Sequence, residues 1–431
     1  MKNNDDLHRR GDAMKATRAP QELSRRAAIA GLGALAPLAA LTACGGSGGS
    51  SGTDPSTTLY TWISNDNDRA QWEAFIAAAQ QSDPEFTMAL EGPSFEDYWT
   101  KVKTRMSSGD APALLTTQAA RAQELEALLA PLDELAEAAG VDLAQYNEAM
   151  ISGMTVDGSV RAIPYDAEPM VLFCNRAMFA DAGLEVPSTR YSMDQFLDDA
   201  TALTTDSRHG LAISAGLVHL GMSIGFANGG TPVTDGTLTL TDPKIVEAIQ
   251  FSFDLVTEYG VAEAPAAVDS EPAAQQDLMN GNVAMYLDGP WMYQAYVDAL
   301  GDDLAVAVVP SESGEPKGMI QGSGFGIASN ADDPEAAFRT IQAITTPEVI
   351  GDVANTRGTF PSVANQEERW AEGKAEDNVA AVTSLAQNGE PLLTTPNWNE
   401  VGSQFGQYST DGFRGNRTAQ EILEAIEGAT A

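Results

Sequence analysis

Histidine, cysteine and basic residues are scarce in this sequence. Three histidines and two cysteines occur among 431 residues. Two cysteines cannot build a disulfide framework, and three histidines leave little material for a zinc site. Lys and Arg number 24 against 61 Asp and Glu, a formal net charge of −37. Phosphates repel such a polyanion, which excludes nucleic-acid binding, and docking through a basic face onto anionic lipid is excluded with it. The chain has no phosphate loop ending in Gly-Lys-Ser/Thr, no paired zinc-binding histidines and no calcium-loop spacing. Gly322, Gly324 and Gly326 read as a glycine-rich turn with the wrong spacing for a dinucleotide fingerprint. A serine nucleophile needs a base, and His209 and His219 are poorly placed to be one. No cofactor and no metal is expected. Accidental carboxylate pairs suited to glycoside hydrolysis stay open among so many acids.

Apolar residues make up 43% of the chain, enough for a sizeable core, and the length suits two or three lobes. Residues 1–43 read as an export signal: Arg25 and Arg26 precede the apolar stretch Ala27–Leu41, which is too short for a comfortable membrane span. Ser24-Arg25-Arg26 resembles a twin-arginine signal, while Ala27 and Ala28 leave the general secretory route open. Leu41-Thr42-Ala43-Cys44 looks like a lipobox, at which cleavage leaves Cys44 as a lipidated first residue. Residues 44–57 then form a flexible tether rich in Gly and Ser, whose run of about ten residues reaches ~18 Å. Residues 1–43 hold seven basic and four acidic residues, so their removal takes the net charge to −40. Acyl chains, at ~0.8 kcal/mol per buried methylene, hold such a protein to a membrane despite its charge. Cys174, in the apolar run Met170–Cys174, reads as a small core residue.

Strand and helix patterns alternate after the tether. Leu59–Ile63, Phe86–Leu90 and Ala113–Thr117 read as strands, with helices over Asp68–Gln80 and from Ser94 between them. Ser94 and Asp97 form a capping box, and Phe95, Tyr98, Trp99, Val102 and Met106 make an apolar stripe that assigns Trp99 to the core. This βαβαβ run is half of a doubly wound sheet. Further strands are expected at Met170–Cys174, Val283–Leu287, Leu304–Val309 and Phe325–Ala328. Ser192, Asp242-Pro243 and Asp333-Pro334 start helices, and Thr418–Glu427 is helical. The pattern describes an α/β protein with two open-sheet lobes.

Ligands of open α/β sheets bind beyond the carboxyl ends of the strands. Here those ends supply Trp62, Ser64 and Asn65, then Glu91, then Thr117 and Gln118. An aromatic, an acid, hydroxyls and amides suit a neutral polyol, whose C–H faces stack on rings and whose hydroxyls meet carboxylates and amides. An anion would ask for several Arg or Lys.

The segments Ser94–Pro112, Ile163–Asn175 (IPYDAEPMVLFCN), Phe179–Pro187, Asn228–Val233, Gly281–Met292 (GNVAMYLDGPWM), Gly322–Ser329 (GSGFGIAS) and Thr346-Pro347-Glu348 occur in one order along the chain. Together they resemble the family-one extracellular solute-binding proteins of sugar ABC transporters, the maltose-binding type. The resemblance implies a type II periplasmic-binding fold: each lobe an open sheet flanked by helices, joined by crossover hinge segments. Lobe 1 would combine 58–163 with 325–359, and lobe 2 would combine 169–321 with 362–431. It further implies that Tyr165 and Asp166 lie at the first crossover beside the ligand. Trp291, in Asp288-Gly289-Pro290-Trp291, would stack on a sugar ring. Ser323 and Gly324 would lie at the second crossover, where missing side chains let the ligand reach the backbone. Arg357 would face the cleft, Trp398 would be a lid aromatic, and Asn228 would belong to the second lobe's side of the site. Thr116-Thr117-Gln118-Ala119 stands where relatives often carry an aromatic or an acid, which leaves the identity of the sugar open.

The expected protein is thus a non-enzymatic, monomeric, lipid-anchored receptor on the outer face of the cytoplasmic membrane. It captures a mono- to oligosaccharide and delivers it to ABC permease subunits. A secreted glycosidase, or a binder of another small polar solute, is the alternative.

Overall fold

The computed structural model describes residues 57–64, 66–265 and 270–430; the expected export signal, the expected lipidation site Cys44 and the expected tether up to residue 56 lie outside them, as does Asn65. The chain opens with β1 (Thr58–Tyr60), α1 (Asp66–Ser82), β2 (Ala89–Glu91), α2 (Phe95–Met106) and β3 (Leu114–Gln118). β1 pairs in parallel with both β2 and β3, as a doubly wound half requires. The strand Ser323–Ile327 then adds antiparallel to β3, and Ile163–Pro164 closes that five-stranded sheet. The remaining longer strands form two three-stranded sheets. Val171–Asn175 is central in one, antiparallel to Met285–Asp288 and Leu304–Ala307. Gly318–Gln321 is central in the other, between Glu168–Pro169 and Gly389–Pro391.

Two hydrophobic cores result, the mark of a two-lobed protein. One gathers Trp72, Phe75, Tyr98, Tyr165, Phe325 and Ile341. The other gathers Phe173, Phe179, Phe196, Phe253, Trp370 and Phe405. The chain passes from the first sheet to the others at Tyr165–Ala167 and returns at Gly322. A third passage follows the helix Pro347–Arg357, where Phe360 joins the second core and Val363 the first.

Local signals set the helix starts. The hydroxyl of Ser94 accepts the N–H of Asp97 (3.4 Å), Ser192 accepts Gln195 (3.2 Å), and Asp333 accepts Ala336 (2.8 Å). Asp242 accepts from both Lys244 and Ile245, with Pro243 in the first turn. Cys174 is fully buried, where loss of solvation pushes its thiol far above the ordinary range.

Two expectations are corrected. Phe86 sits in a turn instead of starting β2, because Asp83 accepts the N–H groups of both Glu85 and Phe86 ahead of the strand. The glycine-rich segment is strand from Ser323 onward instead of a turn. Its glycines accommodate neighbours at very close range. A Cβ on Gly324 would stand 2.7 Å from Met154 Sδ and 2.8 Å from the carbonyl oxygen of Ile163, and one on Gly326 would stand 3.0 Å from that of Arg161.

Gly324→Ala therefore forces either Met154 or the Ser323–Ile327 strand to move. The expected loss is about 1–3 kcal/mol of stability, read from urea unfolding of the wild-type and variant proteins. A midpoint that does not shift would contradict the close approach.

Candidate functional site

A cavity of about 580 Å³ lies between elements that carry the two cores. Lys103 of α2 and Glu124 line it from one side; Pro396, Asn397, Asn399, Glu400, Ser403 and Gln404 line it from the other. The latter belong to the helix Trp398–Phe413 and the turn before it. Such a volume lies within the range of small-molecule pockets, ~300–1,000 Å³. Its walls are unusually polar, with Pro396 the only apolar residue.

Arg121 organises the first wall. It follows β3 by three residues, in the helical turn Ala119–Arg121. Its guanidinium lies over the ring of Trp99, 4.8 Å from the centroid. It pairs with Glu124 at 3.1 Å and donates to Asn399 Oδ1, on the helix Trp398–Phe413, at 3.2 Å. Lys103 reaches the other oxygen of Glu124, also at 3.1 Å. Burial draws the Arg121 guanidinium below its ordinary pKa, and Glu124 opposes that shift. Opposite, Gln404 Oε1 is buried with no hydrogen-bond partner among the described residues. An acceptor buried without a partner costs about 1–3 kcal/mol of lost solvation.

Next to this wall is the corner where the chain crosses. Gln118, half-buried at the end of β3, is in register with Ser323. The N–H of Ser323 donates to Asp166 Oδ1 at 2.6 Å, and Asp166 bridges to Pro361. The carboxylate thus ties the first passage to the second, and backbone bonds of its neighbours, Ala167 N–H to the Phe360 carbonyl among them, join the third. Two residues on, the side-chain oxygens of Glu168 are buried near the backbone of Phe360 and Trp291 without a hydrogen bond of good geometry. Half-buried Trp291 folds its ring against Gly289. That turn is fixed by Asp288, which accepts from Gly289 N (2.8 Å), Tyr296 OH (2.6 Å) and Gln275 Nε2 (3.1 Å). Arg357 is buried as well, donating to Asn67 Oδ1 and, at 3.3 Å, to Gln71 Oε1.

Residues 73–381 match the family described as bacterial extracellular solute-binding protein. The chain belongs to that family. Among curated relatives, the diacetylchitobiose binding protein DasA of Streptomyces coelicolor is 24% identical over 391 residues, covering 86% of this chain and 88% of its own length. Among solved structures, an ABC substrate-binding protein from Listeria monocytogenes in complex with cycloalternan superposes with a TM-score of 0.77 at 21% identity, over 86% of this chain and 97% of the other. A solute-binding protein from Thermotoga lettingae bound with α-D-tagatose gives 0.75 at 19% identity, over 86% and 98%. These likenesses establish the two-lobed fold.

Within this solute-binding fold the residues singled out from sequence are placed unevenly. Gln118, Asp166, Ser323, Trp291 and Arg357 gather around the crossing corner. Trp62 is buried in a ring cluster, edge-on to Trp72 (5.5 Å) and Tyr98 (5.5 Å). Tyr165 is 3% exposed, with its ring among Trp72, Phe75 and Phe325 on the core side of the corner. Exposed Ser64 accepts the N–H of Phe95 at 2.9 Å, and half-buried Glu91 pairs with Arg105. Thr117 is buried opposite Gly324, whose missing side chain makes room for Met154. Asn228 lies elsewhere, capping the helix Leu220–Ala227 and accepting the N–H of Glu312 at 2.8 Å. Trp398 is 3% exposed and faces the second core, while its neighbours Asn397 and Asn399 face the cavity.

Sequence reasoning passed over Arg121, Lys103, Glu124, Glu168 and Gln404. Arg121 could have been found by following the β3 end one helical turn further. The cue for Glu168 was an acid in an otherwise apolar run just after the first crossover. The other three are ordinary helix-surface residues in sequence and gain meaning only across the cavity.

Burial raises the carboxyl of Asp166 from 3.8 to about 8, against the donated Ser323 hydrogen bond. Burial, helped by the nearby Asp166, also holds Glu168 well above its ordinary value, with Arg357 opposing. The unfolded chain ionises these groups first as pH rises, while the folded chain keeps its protons longer. Stability contributed by Asp166 is therefore complete below the unfolded value and is lost as pH climbs to about 8. Asp166→Asn retains an acceptor for Ser323, so thermal melts from pH 5 to pH 8 should show a shallower decline than the wild type. An unchanged slope would show that Asp166 does not titrate in this window.

Proposed function

We propose that the chain is an extracytoplasmic carbohydrate receptor that captures a sugar between its lobes and delivers it to an ABC-type permease. The observation that carries this reading is the polar cavity bounded by both lobes. It combines one cation, Lys103, with carboxylates, amides and a hydroxyl; Arg121 lies behind Glu124, and Gln404 carries a buried acceptor with no partner among the described residues. These groups hydrogen-bond a polyol from several directions. That DasA is a diacetylchitobiose binding protein, and that the compared structures hold cycloalternan and tagatose, agrees with the reading.

The mechanism is hinge closure about the three passages between the lobes, whose sequence limits are 58–163 with 325–359 and 169–321 with 362–431. Sugar binds one wall, and closure is driven by contacts made only when the second wall arrives. Arg121 to Asn399 is one contact of that kind. The receptor acts by binding and not by catalysis. Residues 1–43 serve as the export signal and Cys44 carries the lipid, leaving the receptor tethered outside the cytoplasmic membrane beside its permease. No helix among the described residues is long and apolar enough to cross a membrane.

Isothermal titration calorimetry of the protein with a panel of mono- and oligosaccharides tests the reading. Binding near ~1 μM corresponds to about −8 kcal/mol. Arg121→Ala and Trp291→Ala should each weaken it at least about tenfold, roughly 1.4 kcal/mol. Tyr165→Ala should instead lower the melting temperature, since its ring is core. Reducing ends released during long incubation with oligosaccharides would overturn the receptor in favour of a glycosidase.

A further inference from the structure

We propose that the sugar site continues beyond the cavity along one face of α2 to Phe95, so that the ligand is an oligosaccharide with its far unit stacked on that ring. This rests on the carbohydrate reading and narrows it to a ligand longer than one ring.

Three residues spaced by four, Phe95, Trp99 and Lys103, lie on one face of α2. From first to last they span about 12 Å along the axis. Lys103 lines the cavity. Trp99 is almost fully buried, and Arg121 covers its ring, so the middle of the track presents a guanidinium. Phe95 ends the track. It is 38% exposed, one of three large hydrophobic side chains exposed among the described residues. The other two are Tyr259 and Leu393; Phe95 is the one beside the carboxyl ends of β1 and β2.

The ring is also held in place. It stands edge-on to Trp62 at 5.3 Å and to Trp99 at 5.7 Å, and the backbone N–H of Phe95 donates to Ser64 Oγ. Two indoles supporting a third ring that remains open to solvent form a fixed aromatic surface. Leaving it exposed costs apolar hydration, which an occupant with an apolar face relieves. The C–H face of a pyranose is such an occupant, and the polar groups on the rest of the track meet hydroxyls. Arg121 and the Lys103–Glu124 pair therefore hold the inner units, and Phe95 adds a stacking contact to a unit that a monosaccharide lacks.

Calorimetry with glucose, maltose and maltotriose, and with N-acetylglucosamine and its di- and trimer, separates the possibilities. In the series that the wild type binds, Phe95→Ala should leave the shortest bound sugar within about twofold and weaken the longest about fivefold, as expected for one lost stacking contact. Phe95→Trp should restore the longer ligands. The apo melting temperature of each variant checks that Trp62 and Trp99 keep their packing. An equal loss at every chain length, or no loss at any, overturns the extended track while leaving the receptor intact. No heat from the wild type with any of these sugars would instead sink the carbohydrate reading itself.

Discussion

The arrangement depends on a buried carboxylate, and the backbone pairing beside it, at the point where the chain crosses between its lobes. Asp166 accepts the backbone N–H of Ser323 at 2.6 Å, which fixes the first passage to the second, while backbone pairing on either side of it, Ala167 to Phe360 and Ser362 to Tyr165, joins the third. Ionising a group so deeply buried is costly, and its carboxyl is held up to about 8 as a result. The protein accepts that cost where three strands of connection must keep a common register while the bodies around them remain separate. The glycines of Ser323–Ile327 answer the same demand. Met154, Ile163 and Arg161 come so near that any side chain would push the second passage out of place.

Around this crossing, charge is used sparingly and in pairs. The chain carries a large negative excess, yet three of its cations lie beside the cavity and the crossing. Arg121 and Lys103 share Glu124 beside the cavity, and Arg357 is buried near Glu168. A site balanced in this way attracts neither anions nor cations strongly, and selects for hydrogen-bonding ability. The amides of Gln404, Asn397 and Asn399 complete a surface suited to uncharged polar solutes.

Aromatic residues divide between two tasks. Trp72, Tyr98 and Tyr165 build the first core, and Trp370 and Trp398 belong to the second. Trp291 and Phe95 remain partly open, each propped by a rigid neighbour: Trp291 on the turn that Asp288 fixes, Phe95 on two indoles. A propped ring loses little freedom when a ligand arrives, so more of its contact energy appears as affinity.

Much of the fold is legible residue by residue. The caps at Ser94, Ser192, Asp242 and Asp333 act within four positions, and the period of the apolar stripes places α2 and the buried strand around Cys174. The family's segments, in their order, identify the two-lobed solute-binding fold. What the sequence could not supply is direction. Tyr165 turns its ring into the core and Trp398 turns away from the cavity, while Glu168 and Gln404 are left with open acceptors. Local spacing determines which residues form a helix or end a strand, because those interactions reach only a few positions. Which side chains meet across a cleft is decided by contacts between residues hundreds of positions apart, as with Arg121 and Asn399, and only the tertiary structure brings those together.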